Sequence, residues 1–372
     1  MALLSEEQSI LKDQAKAWAS EQAPVSAFRE MRDSGVATGY AAPTWESMVE
    51  MGWTGILVPE AYGGADLGYL TFGVVLEELG RQLTASPLFA SAYVSATALR
   101  LSTNTDAQAT LFPRLVDGSV VATLAVDEGP HHNPSNLTTT ATSDGGSITI
   151  SGAKTFVPEA LGATHFIVAA TFSGDVGLFV VPADKAGVSR SALALMDSRG
   201  YGDVTFDGVQ IDAAAHLTPS GSGADHLTAV LDFARTGLTA EMLGTGAQAF
   251  DMTLEYLQTR KQFGKVIGSF QALGHRAAEL FSAMELARSC SEAALQAIDA
   301  DADNVAEMAS LAKAQVGEFL YTMSNQLIQI HGGIGMTDEF DAGLYLKRAR
   351  VLDPLYGNRG FHRDRYARLL GF

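Results

Sequence analysis

The stretch Gln-Ile-His-Gly-Gly-Ile-Gly-Met at residues 329–336 decides the architecture that we predict for this chain. Apolar residues such as Leu327 precede it at helical spacing and indicate a buried or half-buried helix. Gly332 and Gly333 then end the helix, because glycine adopts left-handed backbone and permits a bulky group to approach closely. Residues 337–339, Thr-Asp-Glu, are typical of a second helix start. The sequence therefore predicts a glycine-rich corner whose amides can receive a phosphate or a flat ring, although an ordinary helix–loop–helix break has the same pattern.

Composition limits the class of protein. The 372 residues suffice for two or three domains, and 47% hydrophobic with 18% charged residues is typical of a globular chain. A net charge of −17 argues against nucleic acid or an anionic membrane as the main partner, but not against a phosphorylated small molecule. The single cysteine, Cys290, is interpreted as a packing residue. Because one cysteine cannot form a disulfide within the chain, we expect a reduced, cytoplasmic compartment. We expect no signal peptide, no membrane span and no metal site, since His131 and His132 are adjacent rather than one helical turn apart.

The hydrophobic period changes twice along the chain and predicts three domains. Residues 1–119 have helical patterns. In residues 120–215, short β-rich runs are separated by turn signals such as Asp-Gly-Gly at 144–146, which predicts a small antiparallel sandwich or barrel. Residues 219–223 are the best linker, and residues 222–372 contain four apolar repeats of helical length. The predicted fold is therefore multidomain α+β, with an N-terminal helical domain, a middle β domain and a C-terminal four-helix bundle.

Four motifs follow one another along this framework: VPEAYGG at 58–64, SGAK at 151–154, RKQFG at 260–264 with Gln271, and QIHGGIG at 329–335. At this spacing the chain resembles the FAD-dependent acyl-CoA dehydrogenase family over nearly its whole length. The resemblance implies the same three-domain fold, an oxidoreductase of lipid metabolism and fatty acid β-oxidation, and an acyl-CoA substrate. It also implies an electron-transferring flavoprotein or a similar acceptor. Because this family holds FAD between subunits, the resemblance implies at least a dimer, and a tetramer is expected.

The resemblance further implies which residues hold FAD. Arg260, Phe263 and Gln271 match positions that contact the pyrophosphate and adenosine across a subunit interface. A forked guanidinium suits phosphate oxygens, although Arg260 without its flanking motif would be interpreted as a solvated charge at a helix end.

Four more residues complete the cofactor set that the resemblance implies: Gln329, Gly332 and Gly333 match backbone near the neighbouring subunit's FAD, and Asn358 is included from the segment after the last long helix. Phe156 falls where the family places an aromatic ring against the isoalloxazine. The alternative for Phe156 is a core residue of the β domain.

The expected catalytic base is missing from both positions that the family uses. The family's reaction requires a carboxylate within reach of the substrate α-proton. With Gly357 aligned to the family glycine, Tyr356 occupies the usual glutamate position, and a phenol with a pKa near 10 is a poor base. We therefore interpret Tyr356 as a packing or ring-contact residue. Arg235 matches the active-site arginine that follows the second base position, which here is Ala234.

Two carboxylates remain as candidate bases. Asp353 is the acid nearest to Tyr356, and Glu241 lies two turns after Arg235. A further departure is Pro158, which replaces a hydroxyl residue of the family and has neither hydroxyl nor N–H.

Three hypotheses follow from these departures. The chain is an acyl-CoA dehydrogenase with an unusual base, or the base-lacking partner in a heterotetrameric enzyme for a bulky CoA thioester such as a steroid side chain. The third hypothesis is a structural homologue without flavin. We favour the second, because the residues matched to FAD are retained whereas both base positions are not.

Overall fold

The computed structural model describes residues 4–218 and 221–372, so part of the predicted linker, residues 219–220, lies outside the described residues. Two compact units are present. The first comprises Met1–Phe28, Tyr69–Thr84 and Arg235–Phe372, and the second comprises Arg29–Gly68 and Ala85–Ala234. The domain boundaries 1–119, 120–215 and 222–372 stay a prediction, since each unit takes segments from more than one of them.

Helices occupy the N-terminal and C-terminal thirds of the chain, as predicted. The described residues form α1 (Glu6–Gln22), α2 (Val25–Asp33), α3 (Ala42–Glu50), α4 (Tyr69–Arg81), α5 (Ala96–Arg100), α6 (Thr105–Val116), α7 (Gly223–Thr259), α8 (Gln271–Asp299), α9 (Val305–His331), α10 (Ala342–Leu352) and α11 (Arg359–Leu369). A π-helical segment, Phe89–Ser95, leads into α5. Across the described residues, none of the helices combines the length and the apolar content needed to cross a bilayer.

In the first unit, α9 is the central helix, packed by α8, α10 and α11. Helices α7 to α10 are the four that the apolar repeats predict. Helix α11 is not predicted, because its sequence is strongly charged and His362 is its one buried residue. Its N-cap is Asn358, whose side-chain oxygen accepts a hydrogen bond from the Phe361 N–H at 2.9 Å. This N-cap satisfies one of the free amides at the start of the helix.

The glycine corner differs in part from its prediction. Gly332 has a positive φ of 63°, as expected for a glycine after a helix, and residues 332–336 form a 3₁₀ turn. The predicted helix start at residues 337–339 is wrong, because α10 begins at Ala342. The Thr337 hydroxyl donates to the Ile334 carbonyl at 2.8 Å and so closes the preceding turn instead of capping a new helix.

The second unit contains one mixed sheet. Its strands are β1 (Ala122–Ala125), β2 (Thr140–Asp144), β3 (Ser147–Val157), β4 (His165–Phe172), β5 (Asp175–Pro182), β6 (Val188–Ala192) and β7 (Gly202–Asp212). They lie in the order β1-β4-β2-β3-β7-β6, with β5 also paired to β4. The predicted turn at 144–146 joins β2 to β3. The fold class is confirmed, although β4 pairs in parallel with both β1 and β2.

The core of this sheet explains its alternating sequence. Phe166 and Phe206 are fully buried and meet edge to face with ring centres 6.1 Å apart. Each such ring stabilises the fold by about 1.5–3 kcal/mol through removal of apolar surface from water. The other buried members include Ile148, Ile150, Val168, Phe179, Val204 and Ile211.

Candidate cofactor and catalytic sites

The loop between α10 and α11, residues 353–358, contains the position where the family's base is expected. Tyr356 is 3% exposed and has a left-handed backbone with φ 57°. Its carbonyl oxygen accepts hydrogen bonds from Arg235 Nε at 3.1 Å and from His362 Nε2 at 3.1 Å. A non-glycine residue in this conformation is strained, and such residues persist where the surroundings fix them. Arg235 and His362 therefore hold the backbone of this loop in place.

Lys313 fixes the same loop from α9. Its side chain is fully buried, and Nζ donates to the carbonyl oxygens of Leu352, Asp353 and Gly357 at 3.3, 2.8 and 3.0 Å. Burial lowers the pKa of Lys313 from its ordinary 10.5 to about 7, opposed by the charge of Asp353 and assisted by that of Arg235. The Lys313 ammonium thus donates hydrogen bonds to carbonyls at and after the end of α10, where the helix itself provides no N–H partner.

His362 is held as a neutral imidazole. Burial and then the charges of Lys313 and Arg235 lower its pKa far below the usual range for histidine. Since Nε2 must donate to the Tyr356 carbonyl, the proton of the neutral ring is on Nε2. Neither Lys313 nor His362 was predicted from the sequence. For Lys313, the available signal was a lysine at an apolar position of the α9 periodicity.

The two candidate carboxylates differ in their surroundings. Glu241 is buried, and its Oε1 accepts hydrogen bonds from Arg348 Nε and Nη2 at 3.0 and 2.6 Å. Asp353 Oδ2 accepts from Arg359 Nη1 at 3.1 Å. Asp353 Oδ1 is buried and has no hydrogen-bond donor among the described residues. The structure thus brings Asp353, Arg235 and Tyr356 around Lys313, whereas Glu241 belongs to a separate ion pair.

A hairpin follows Arg260, the residue after α7. Strands β8 (Lys261–Gln262) and β9 (Lys265–Val266) pair through a turn in which Phe263 and Gly264 have φ of 53° and 79°. Two successive positive φ values suit Asn and Gly far better than Phe. The Phe263 side chain is nevertheless 90% exposed. The ring meets Phe270 edge to face with ring centres 6.2 Å apart and otherwise faces solvent.

The hairpin and the glycine corner are joined by a small apolar cluster. Leu257 of α7, Ile267 after the hairpin and Ile330 of α9 are its buried members. The structure therefore brings together, in one unit, the segments of Arg260, Phe263 and Gln271 with that of the glycine corner. Gln271 is exposed at the first position of α8, and Gln329 is exposed near the end of α9.

The glycine corner itself is open. A Cβ added to Gly332 or to Gly333 would have no neighbour within 4 Å. Beside them, the His331 ring stacks on Tyr256 with centres 4.3 Å apart, and its Nδ1 bonds to the Leu327 carbonyl at 2.7 Å. His331 Nε2 is buried and has no hydrogen-bond partner in the described part of the chain. The corner thus offers free backbone surface beside an unsatisfied ring nitrogen.

Phe156 lies in the second unit, on an irregular part of β3. It has φ 52° and is 41% exposed, and the pairing of β3 with β7 shifts register between Lys154 and Val157. The irregularity turns Phe156 outward while Val157 fills the core, so Phe156 is not the core residue of the alternative interpretation. The Pro158 carbonyl accepts a hydrogen bond from the Thr123 hydroxyl at 2.7 Å.

A buried ion pair supports this part of β3. Lys154 Nζ donates to Glu128 Oε1 at 2.6 Å and to the Val126 carbonyl at 3.0 Å. Burial alone would raise the pKa of Glu128, but hydrogen bonds from Lys154 and Thr138 lower it to about 2. Burial lowers the pKa of Lys154, opposed by the hydrogen bond and the charge of Glu128. The pair fixes the segment after β1 against the strand of Phe156.

Three family models cover most of this chain. The N-terminal domain of acyl-CoA dehydrogenase matches residues 5–119, the middle domain matches residues 125–210, and the C-terminal domain matches residues 221–371. The chain therefore belongs to the acyl-CoA dehydrogenase family.

Individual relatives agree with this assignment. The chain is 29% identical to the "Probable acyl-CoA dehydrogenase YngJ" of Bacillus subtilis (strain 168), covering 99% of this chain and 98% of the relative. A solved variant of the Tcur3481-Tcur3483 steroid ACAD is 30% identical, covers 98% of each chain and has a TM-score of 0.90. A solved FAD-dependent dehydrogenase is 25% identical over 100% of each chain, also with a TM-score of 0.90.

Proposed function

We propose that this chain is an FAD-binding subunit without its own catalytic base, which acts within a heterotetrameric acyl-CoA dehydrogenase on a bulky CoA thioester. The proposal rests on the burial and the hydrogen bonds of Tyr356 in the loop at residues 353–358. A buried phenol occupies the base position, and Arg235 and His362 hold its backbone from two sides. Proton abstraction at neutral pH requires a group whose pKa is near the working pH, and an ordinary phenol does not meet that requirement.

The neighbouring carboxylates are engaged elsewhere. Both hydrogen bonds from Arg348 go to the same oxygen of Glu241, and Arg359 is bound to Asp353. These hydrogen bonds occupy carboxylate lone pairs that a catalytic base needs for the substrate proton. A partner subunit with a free carboxylate would supply the missing step.

The chain's retained residues fit FAD. The exposed Arg260 suits the pyrophosphate, Phe263 provides an aromatic face, and the open backbone at Gly332 and Gly333 admits a close approach. Gln271 and Gln329 are exposed amides that can donate hydrogen bonds beside them. Bound FAD supplies the acceptor for the hydride that leaves the substrate β-carbon.

Two further residues extend this assignment. Phe156 presents an exposed ring for the isoalloxazine, and Pro158 there offers no hydroxyl. Asn358 Oδ1 is committed to the N-cap of α11, which leaves the amide Nδ2 of Asn358 as its donor toward the cofactor.

The choice of a two-component enzyme for a bulky substrate rests on resemblance. The steroid ACAD that is 30% identical to this chain is named for two components, Tcur3481 and Tcur3483. We extend to this chain a steroid-like CoA ester, a shared FAD and an electron-transferring flavoprotein or similar acceptor. A single cysteine, Cys290, agrees with a cytoplasmic location.

A second candidate is a self-sufficient acyl-CoA dehydrogenase that uses Asp353. The observation in its favour is the buried Asp353 Oδ1, which lacks a donor among the described residues. It faces α9 at Gly317, where an added Cβ would lie 3.1 Å from this oxygen. The absence of a side chain at Gly317 leaves room beside the carboxylate.

The test is anaerobic reduction of flavin by a panel of CoA thioesters, including a steroid side-chain ester. The chain is measured alone and after assembly with a base-bearing homologue recovered by pull-down. We expect loss of flavin absorbance only in the assembly, unchanged by Asp353→Asn. Robust bleaching by the chain alone that disappears in Asp353→Asn would replace this proposal with the second candidate. A chain that binds no FAD alone or in any assembly would support the flavin-free homologue.

Tyr356→Glu sharpens this test, with Tyr356→Gln as its matched control. If the loop position is the base position, the glutamate variant should acquire flavin reduction by simple acyl-CoA substrates, whereas the glutamine variant should not. Equal inactivity of two folded, FAD-loaded variants would contradict the placement of Tyr356 at the base position.

A further inference from the structure

The second unit contains a cavity that none of the residues assigned to FAD or to the base lines. Its volume is about 350 Å³, and it lies between one face of α6 and the ends of β4, β5 and β7. Leu111, Val180 and Ile211 form apolar walls. Cavities of this volume with apolar walls and a few polar groups are typical of small-molecule sites.

One end of the cavity is cationic. It contains Arg114 from the last turn of α6, together with His165 and Lys185. His165 pairs with Pro182 across β4 and β5, which places Lys185 just beyond the same strand end. Within the described residues, the charged groups of Arg114 and Lys185 form neither ion pairs nor hydrogen bonds. His165 is buried. Burial and the nearby charge of Arg114 lower its pKa, opposed by the charge of Asp184, so the imidazole is a neutral hydrogen-bonding group at this end.

The other end is acidic. It contains Asp106 from the first turn of α6 and Asp212 from the end of β7. Asn104, just before α6, donates hydrogen bonds to the carbonyls of Ala214 and His216 at 2.7 and 2.9 Å, which fixes the two acidic segments side by side. Asp106 and Arg114 are eight residues apart on one helix, which corresponds to about 12 Å along its axis. The cavity is thus an apolar slot with opposite charges at its two ends.

We infer that this slot binds a monoanionic amphiphile: a linear carboxylic acid with its carboxylate at Arg114 and Lys185 and its apolar tail along Leu111 and Ile211. The unpaired cations attract one carboxylate, and the desolvated walls favour a hydrocarbon body. Asp106 and Asp212 repel a second negative charge at the tail end. The inference concerns a site separate from the proposed dehydrogenase chemistry and does not depend on it.

The experiment is a titration of the full chain followed by methyl NMR of Leu111, Val180 and Ile211. The probes are decanoate and decanedioate of the same length. We expect saturable shifts of these methyls with decanoate. Decanedioate should bind about tenfold more weakly or worse, because its second carboxylate meets the acidic end.

Three variants locate the site. Leu111→Trp should fill the slot and abolish decanoate binding, and Arg114→Gln should weaken it about tenfold or more. Lys16→Gln, which removes one exposed positive charge of the first unit, should leave it unchanged. Arg114 is exposed, so its variant keeps the test valid if Leu111→Trp does not fold. Absent methyl shifts at millimolar decanoate, equal binding of the diacid, or unaltered binding by a folded Arg114→Gln chain would overturn the inference.

Discussion

Two segments of the first unit contain the residues matched to the family's chemistry. They differ in how far the surrounding structure buries them and bonds to them. The loop at residues 353–358 has its strained backbone held by the buried donors Lys313, Arg235 and His362. The hairpin after Arg260 has an equally strained residue, Phe263, but its ring is 90% exposed. Folding of this chain buries Tyr356 in the loop, whereas the Phe263 ring at the hairpin tip stays in solvent.

This difference predicts which substitutions destabilise the fold and which weaken binding. Strain in the loop is opposed by hydrogen bonds inside the unit, so changes there should appear as altered stability. At the hairpin tip the Phe263 ring contacts Phe270 edge to face but stays exposed, so changes there should appear mainly as altered cofactor retention or assembly.

Lys313→Met should destabilise the chain by about 3 kcal/mol, because three buried carbonyls lose their donor. The measurement is urea unfolding followed by circular dichroism. Lys16→Met, at an exposed site, should stay within about 0.5 kcal/mol of the parent. A loss below about 1 kcal/mol for Lys313→Met would mean that the loop does not depend on this ammonium.

Lys313 should also give the stability a distinctive pH dependence. Its pKa in the folded chain is about 7, below the ordinary 10.5, so between these values the unfolded chain binds the proton more strongly. The free energy of unfolding therefore rises with pH from about 7 to 10.5, by at most about 1.4 kcal/mol per pH unit from this group. Unfolding curves of the parent and Lys313→Met across this range isolate the contribution; parallel pH profiles would contradict the lowered pKa.

Arg260→Ala should weaken FAD retention about tenfold and leave the unfolding free energy within about 0.5 kcal/mol, since the guanidinium is exposed. Flavin released during gel filtration measures the first quantity, and urea unfolding the second. Arg368→Ala is the matched control, because that exposed arginine lies on α11 beside Asp364. Undiminished flavin content in Arg260→Ala would remove this residue from the cofactor site.

The smallest effect is expected at the hairpin tip. Phe263→Asn should stabilise the chain by about 0.5–1 kcal/mol, because asparagine adopts positive φ more readily. The same variant should lose flavin affinity, since the exposed ring is gone. Stability and flavin binding that fall together would show that the Phe263 ring already contributes to the fold of the free chain.

The order of helical and β segments could be predicted because each has a distinct apolar period that burial requires. Helix α11 and the start of α10 could not. The sequence of α11 is mostly charged, and Thr337 has the chemistry of a cap but bonds backward to Ile334. The two parallel pairings of β4 were also hidden, because alternation indicates a strand but not the direction of its neighbour.

The site was predictable to a similar depth. Motif spacing singled out Arg260, Phe263 and the glycine corner, which the structure gathers around one apolar cluster. Lys313 was not predicted, because a single polar residue in an apolar repeat is usually interpreted as solvent-facing. Its ammonium is buried because it bonds to carbonyls some forty residues away in the chain. The outward turn of Phe156 likewise depends on a register shift that the β3 sequence does not encode.

The strand order of the second unit has a consequence for how the protein reaches its folded state. Three pairings of this sheet are local: β2 with β3 across residues 144–147, β4 with β5 across residues 172–175, and β6 with β7 across residues 192–202. The pairing of β1 with β4 joins Ala122 to His165, and that of β3 with β7 joins Ser147 to Asp212. Closing such long loops costs chain entropy before any contact is gained, so the three hairpins form early and the β6–β7 hairpin docks on β3 late. Until then β3 has an unpaired edge, which is the stage at which a newly made chain is most exposed to aggregation.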